Sequence, residues 1–352
     1  MYETLDDLQF SPGAIMTTGN LLSLFCGCGG LDLGFEQEGF TTGLAYDRRP
    51  DAVSSWNRNR KVPAARVMDI RGLTVQKMDE DYGEEFCPSG VIGGPPCQGF
   101  SIANRSGSRD DPRNDLAKVF FDLALKLNAR KKLDFIVMEN VPTIQGQRGG
   151  HILEDLLSLL NEHCFDAKYE VLDACNFGVP QRRKRLFLVA TQRGRSVGSN
   201  WLAPEPSQSV MTVRKAIGHL PEPNWFKRGL DPKLNPHHEN HWCMVPKSPK
   251  FFDGTLHEGF TANRSFKTLW WDRPSYTASY GNREVHIHPN CSRRLSVFEA
   301  MTIQGFPRKF VLNGSMSSQI TQVSEAVPPP LAKAIAGSLV SSLSIQPAAC
   351  VA

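Results

Sequence analysis

No run of about 18 apolar residues occurs anywhere in this 352-residue chain, so no membrane-spanning helix is expected. The first twenty residues are mildly acidic and lack an apolar core, so they do not read as a secretory signal. The nine cysteines are odd in number and show no repeating spacing, so a disulfide framework is not expected. A reducing, cytoplasmic compartment suits them better. Charge of one sign is not in large excess: the formal net charge is +4, which permits a polyanionic partner without requiring one. Internal repeats and long low-complexity tracts are missing. His237, His238, His241 and Cys243 crowd together, but their spacing lacks the matching second half of a zinc site, and no metal is expected.

What is present in the first half is an alternation of short apolar runs with helix-like stretches. Asn20 to Phe25 reads as a strand, a glycine-rich turn spans Cys26 to Gly30, and a helix runs from about Leu31 to Glu38. Gly43 to Tyr46, Ala65 to Met68 and the segment around Val91 and Ile92 read as further strands. Asp115 to Asn128 has helical spacing, with Leu116, Val119, Phe120, Leu123 and Leu127 on one face. Leu133 to Met138 reads as a buried strand, Ile152 to Leu160 as a helix, and Tyr169 to Leu172 and Arg185 to Ala190 as two more strands. The alternation predicts an α/β fold with parallel pairing and helices on both faces. In such sheets a ligand sits at the carboxyl ends of the strands. Beyond Thr191 the composition shifts toward Pro, Asn, His and Trp with poor periodicity, which marks a second domain. The α/β character returns near Leu295, and Pro328 to Leu339 reads as a proline-initiated helix.

The candidate site residues fall at the ends of the predicted strands. The loop Phe25-Cys26-Gly27-Cys28-Gly29-Gly30 lets backbone approach a ligand at a helix N-terminus. It fails the dinucleotide fingerprint, whose third glycine would fall at Asp32. Asp47, closing the second strand, is spaced to hold a ribose hydroxyl, and Asp69, after the third, to accept from an adenine amine. Together they suit an adenosine ligand without a pyrophosphate. The fourth strand ends in Gly93-Gly94-Pro95-Pro96-Cys97-Gln98, where two prolines stiffen the turn and present Cys97 as a nucleophile. Glu139 closes the fifth strand and would lie near Cys97 if the two strands are neighbours. Partial desolvation there would raise its pKa enough for proton donation. In the basic run Arg182-Arg183-Lys184-Arg185, alternation points Arg183 and Arg185 into the cleft toward phosphate or base oxygens.

These residues, taken in order, resemble the cytosine-5 DNA methyltransferases. The likeness runs through Leu24 to Gly30, Pro95-Pro96-Cys97-Gln98, Glu139-Asn140-Val141, Gln181 to Arg185, Arg294-Leu295 through Glu299 to Gln304-Gly305-Phe306-Pro307, and Gln322 to Pro329. It implies a Rossmann-like, S-adenosylmethionine-dependent methyltransferase fold. Residues 1–190, completed by 305–352, would form the catalytic domain, and 191–304 a smaller, irregular target-recognition domain. It further implies that Phe25, Gly27, Cys28, Gly30, Leu31 and Asp47 bind the cofactor with Asp69, Ile70, Gly94, Pro96 and Leu116. Cys97, Glu139, Arg183 and Arg185 would be catalytic, and Gln98, Ser101 and Arg105 would contact DNA. Ser101 to Asp111 would form a mobile loop closing over the duplex. The implied partners are double-stranded DNA and a cognate restriction endonuclease, with the enzyme itself a monomer. A branch of the family modifies transfer RNA, but the large segment between 191 and 290 favours DNA. Amino-group methylation is disfavoured, because those enzymes resemble one another in placing an aromatic residue after Pro-Pro. One departure is plain: Ser324-Glu325 stands where the family usually has Gly-Asn. By similarity this segment lies near the cofactor's methionine end, where a carboxylate would either repel the cofactor's own or face solvent.

Overall fold

The computed structural model describes residues 19–96, 115–146, 150–195, 201–207, 209–229, 231–262, 266–278 and 285–343. Cys97, Gln98, Ser101, Arg105 and the expected loop from Ser101 to Asp111 lie outside the described residues.

Seven strands form one sheet: β1 (Asn20–Leu24), β2 (Thr41–Asp47), β3 (Ala65–Val67), β4 (Gly90–Gly93), β5 (Phe135–Asn140), β6 (Phe165–Asp173) and β7 (Lys184–Gln192). Their order across the sheet is β3-β2-β1-β4-β5-β7-β6. β1 to β5 pair in parallel, so their carboxyl ends meet along one edge. β7 departs from the expected parallel pattern and runs antiparallel to both β5 and β6. The reason is the connection. Only a short 3-10 turn (Ala174–Phe177) and the Pro180 segment join β6 to β7, and a parallel crossover needs a dozen residues or more. As a consequence β7 contributes its amino end to the edge where its parallel neighbours contribute their carboxyl ends.

Alternation along the strands sorts apolar side chains to two faces. Leu22, Leu24, Val91, Ile136 and Met138 pack with α4 (Asp115–Arg130) and α5 (Gly150–Glu162). Leu21, Ile92, Phe135 and Val137 pack with α1 (Gly30–Gln37) and α9 (Pro329–Ser342). The C-terminal helix therefore covers the sheet beside the first helix. At Gly34 a Cβ would stand 2.3 Å from the Lys333 backbone nitrogen, so these two helices touch through a glycine.

Within the first half of the chain two helices escaped the periodicity reading, as did Val213–Ile217 and Met316–Glu325 farther along. Helix α2 (Pro50–Arg58) begins with proline at its first position, and α3 (Val75–Tyr82) is capped by Thr74, whose hydroxyl accepts from the Lys77 N–H at 3.1 Å. Both cap signals were legible in the sequence. A third cluster gathers α6 (Val213–Ile217), α7 (Val297–Ile303) and α8 (Met316–Glu325) around Leu269, Val285, Phe306 and Ile320. Helix α7 opens with a capping box, Ser296 and Glu299 each accepting the other's backbone N–H. The Glu299 carboxylate also receives the buried Arg293 guanidinium at 2.8 and 2.9 Å. Between α6 and α7 the regular structure is two-residue strand pairs and short 3-10 turns. Among the described residues no helix is long and apolar enough to cross a membrane.

Candidate active site

The convergence of strand ends opens a cavity of about 420 Å³. Every described residue expected to bind cofactor or take part in catalysis lines it: Phe25, Gly27, Cys28, Gly30, Leu31 and Asp47 near the first two strands, Asp69, Ile70 and Leu116 beyond them, then Gly94, Pro96, Glu139, Arg183 and Arg185. Residues far apart in sequence meet here because parallel strands bring their outgoing loops to one edge.

The glycine loop is built tightly. Phe25 and Gly27 both take left-handed backbone angles, φ 57° and 55°. A Cβ on Gly30 would stand 2.3 Å from the Val327 carbonyl oxygen. Asp47 locks the loop to the end of β2. Its carboxylate accepts from the Gly27 N–H at 3.0 Å and from the Arg49 N–H at 2.8 Å. Asp69 likewise caps a turn, accepting from the Arg71 N–H at 3.1 Å and from its guanidinium Nε at 3.0 Å. Hydrogen bonding by Arg71 holds the Asp69 carboxyl down to about 2. Cys28 is buried and its thiol is pushed up to about 12, so it packs as an inert thiol.

At the β4–β5 junction, Gly93 pairs with Met138, which sets Gly94 beside Glu139. A Cβ on Gly94 would lie 2.9 Å from Glu139 Oε2, so the glycine leaves room for the carboxylate. Glu139 Oε1 receives Arg185 Nε at 2.8 Å, and both side chains are largely buried. Burial raises the Glu139 pKa, while the Arg185 and Arg183 charges oppose the rise. Asn140, also buried, donates from Nδ2 to the Pro95 carbonyl at 3.2 Å and accepts the Val141 N–H at 2.8 Å. It ties the Pro-Pro turn leading to Cys97 to the end of β5.

Arg182 and Lys184 are exposed, whereas Arg183 is buried. Arg183 donates to the Ala278 carbonyl at 3.1 Å and to the Ser324 carbonyl at 2.8 Å. A phosphate contact, one of its two expected roles, would require leaving that buried seat, so only the cavity-directed role suits its position. Gln181 receives the Ala278 N–H at 2.9 Å, and Gln304 donates to the Ala326 carbonyl at 2.6 Å. The segments 181–185, 275–278 and 324–326 are thus stitched together behind the cavity.

Arg49, which lines the cavity, was not singled out from sequence. Arg49 follows β2 and forms an ion pair with Glu325 at the end of α8. Neither alternative expected for Glu325 accounted for a cationic partner. Arg49 had a visible signal, a basic pair directly after the acidic strand end, but its partner is remote in sequence. The histidine cluster is engaged piecemeal: His241 bonds Ser296 Oγ and the Pro221 carbonyl, each at 2.8 Å, and Cys243 donates to the Arg294 carbonyl at 3.1 Å.

Residues 19–341 match the sequence profile of the C-5 cytosine-specific DNA methylases. This chain belongs to that family. The type II methyltransferase M1.HphI of Haemophilus parahaemolyticus is 33% identical over 334 residues, covering 90% of this chain and 85% of the relative. The type II methyltransferase M.MthTI of Methanothermobacter thermautotrophicus is 29% identical over 338 residues, covering 90% and 96%. Among solved structures, a DNA modification methyltransferase encoded within an E. coli prophage superposes with a TM-score of 0.74 at 23% identity, covering 91% of this chain and 98% of that one. The Rossmann-like α/β architecture described above is shared with that structure, and the enzyme is a DNA cytosine-5 methyltransferase.

Proposed function

We propose that the enzyme methylates C5 of cytosine within one short sequence of double-stranded DNA, through a covalent Cys97–C6 adduct on a base turned out of the helix. One observation carries this reading: the Glu139–Arg185 pair, the Asn140-anchored Pro95-Pro96 turn and the glycine loop all face one cavity. Residues 1–190 with 305–352 act as the catalytic part, and 191–304 as the part that reads the target.

The lining suits S-adenosylmethionine. Its volume lies within the roughly 300–1,000 Å³ of small-ligand pockets. Leu24, Met68, Ile70 and Leu116 offer apolar surface for an adenine, and Asp47 and Asp69 offer acceptors to ribose and base. When bound, this group supplies the electrophilic methyl that an activated C5 takes up.

Cytosine C5 is a poor nucleophile. Attack of the Cys97 thiolate on C6, with a proton passing from Glu139 to N3, makes C5 enamine-like. After methylation, loss of the C5 proton to water and then of the thiolate restores the aromatic ring, and N3 returns its proton to Glu139. The desolvation that raises the Glu139 pKa favours the protonated form this step needs. Arg185 orients that carboxyl group, and Arg183 stands behind it. The base must leave the stack, at a cost of a few kcal/mol that binding must offset. A cognate endonuclease acting on the same site is the natural partner, and a cytoplasmic monomer the natural state.

Bisulfite sequencing of plasmid DNA from cells expressing the wild type or Cys97→Ala tests the reading. Protected cytosines confined to one motif, and only with the wild type, are expected. A 5-fluorocytosine duplex should trap the wild type, not the variant, in an adduct that survives denaturation. Equal protection by both proteins would overturn the nucleophile assignment.

A further inference from the structure

The Arg49–Glu325 ion pair joins the end of β2 to the end of α8. Arg49 is set by Asp47, which accepts its backbone N–H at 2.8 Å and lies 3.5 Å from its Nε. A Cβ built on Gly27 would be 3.8 Å from Arg49 Nη2, so the guanidinium passes over the glycine loop. Glu325 ends α8 between two pinned carbonyls, Ser324 held by Arg183 and Ala326 by Gln304. The backbones are therefore fixed while the side chains remain accessible, Arg49 32% and Glu325 56% exposed. Half-exposed pairs contribute little to stability, so fold maintenance is a weak reason for this one.

Both residues line the cavity. Resting on the cofactor reading above, we infer that Arg49 and Glu325 together bind the amino-acid end of the methyl donor, Arg49 its carboxylate and Glu325 its ammonium group. The charges decide it. Adenine and ribose carry none, and a sulfonium carries a single positive charge. Only the α-amino acid end presents both signs side by side, and a zwitterion entering an ion pair gives each charge a partner with no net charge added.

Two further pairs in the cavity are less suited. Asp69 and Arg71 lie within one turn and pair with each other, and the reading above already gives the Asp69 carboxylate to the adenine. Glu139 and Arg185 are largely buried beside the Pro-Pro turn. A carboxylate replacing the family's usual amide is, on this view, a change of recognition chemistry that Arg49 makes tolerable.

Calorimetric titration of the full chain tests it with two probes, S-adenosylhomocysteine and 5′-methylthioadenosine, which lacks the amino-acid end. Glu325→Gln and Arg49→Gln should each weaken S-adenosylhomocysteine by about five- to twentyfold, the range for one charge-assisted hydrogen bond at a half-exposed site. Methylthioadenosine affinity should stay unchanged, and so should the melting temperature of Glu325→Gln. Wild-type or tighter binding of S-adenosylhomocysteine by Glu325→Gln overturns the inference, because Glu325 would then only repel the ligand. Equal weakening of both probes also overturns it, since the effect would be structural. A wild type that binds neither probe overturns the cofactor reading itself, and this inference with it.

Discussion

Arg185 and Glu139 face each other across antiparallel strands, Nε to Oε1 at 2.8 Å, at the edge where the cavity opens. The pairing depends on strand direction. Were β7 parallel to β5, its first residues would lie at the opposite edge of the sheet. The same reversal brings Arg183 to the cavity.

Glu139→Gln keeps the shape and the contact to Arg185 but removes the transferable proton. Single-turnover methyl transfer should slow by about 10²–10⁴-fold, the usual contribution of a positioned acid. S-adenosylhomocysteine affinity should be nearly unchanged. A loss confined to cofactor binding would assign Glu139 to the wrong partner.

Asn140→Ala cuts the tether between β5 and the Pro95 carbonyl. Leaving a buried carbonyl and the Val141 N–H unpaired should cost about 1–3 kcal/mol of stability. Cys97 then loses its fixed approach, and kcat should fall by about tenfold or more for each 1.4 kcal/mol of misplacement. Thermal melting and steady-state kinetics measure the two effects. An unchanged kcat in a destabilised variant would confine Asn140 to the fold.

Asp32 is fully buried in the first turn of α1, accepting the Trp56 indole N–H at 3.0 Å. Burial pushes its carboxyl up to about 6 from 3.8, although the Arg60 charge pulls the other way. The folded protein therefore binds the proton more tightly than the unfolded chain. Stability is greatest below about pH 4 as far as this group is concerned, and declines as pH rises toward 6. The full decline is about 3 kcal/mol. Asp32→Asn retains an acceptor for Trp56 and has nothing to titrate. Its melting temperature relative to wild type should climb between pH 4.5 and 7.5, and parallel curves would refute the assignment.

Gly34→Ala exchanges a poor helix former for the best one, which favours α1 by about 1 kcal/mol. The added methyl has no room, because the Lys333 nitrogen and Ala332 Cβ would be 2.3 and 2.4 Å away. Overpacking against α9 should dominate, with a net loss of about 1–3 kcal/mol in urea unfolding. A more stable variant would mean that α1 and α9 can part without cost.

Local pattern determined much of this protein. Apolar alternation placed the strands from Asn20 to Gln192 within a few residues, and helical spacing placed α4 and α5. Glycines and prolines marked the two loops that line the cavity, because turn chemistry is written in residues next to one another. The order of Asp47, Asp69, Glu139 and the basic run along the strand ends pointed to one shared site, and these residues do line one cavity. Tertiary structure alone decided the direction of β7, the burial of Arg183 against the Ala278 and Ser324 carbonyls, and the partner of Glu325. Each of these depends on where a segment lands after a long excursion of the chain. Pairing of that kind is set by the packing of whole elements, to which no short window of residues is sensitive.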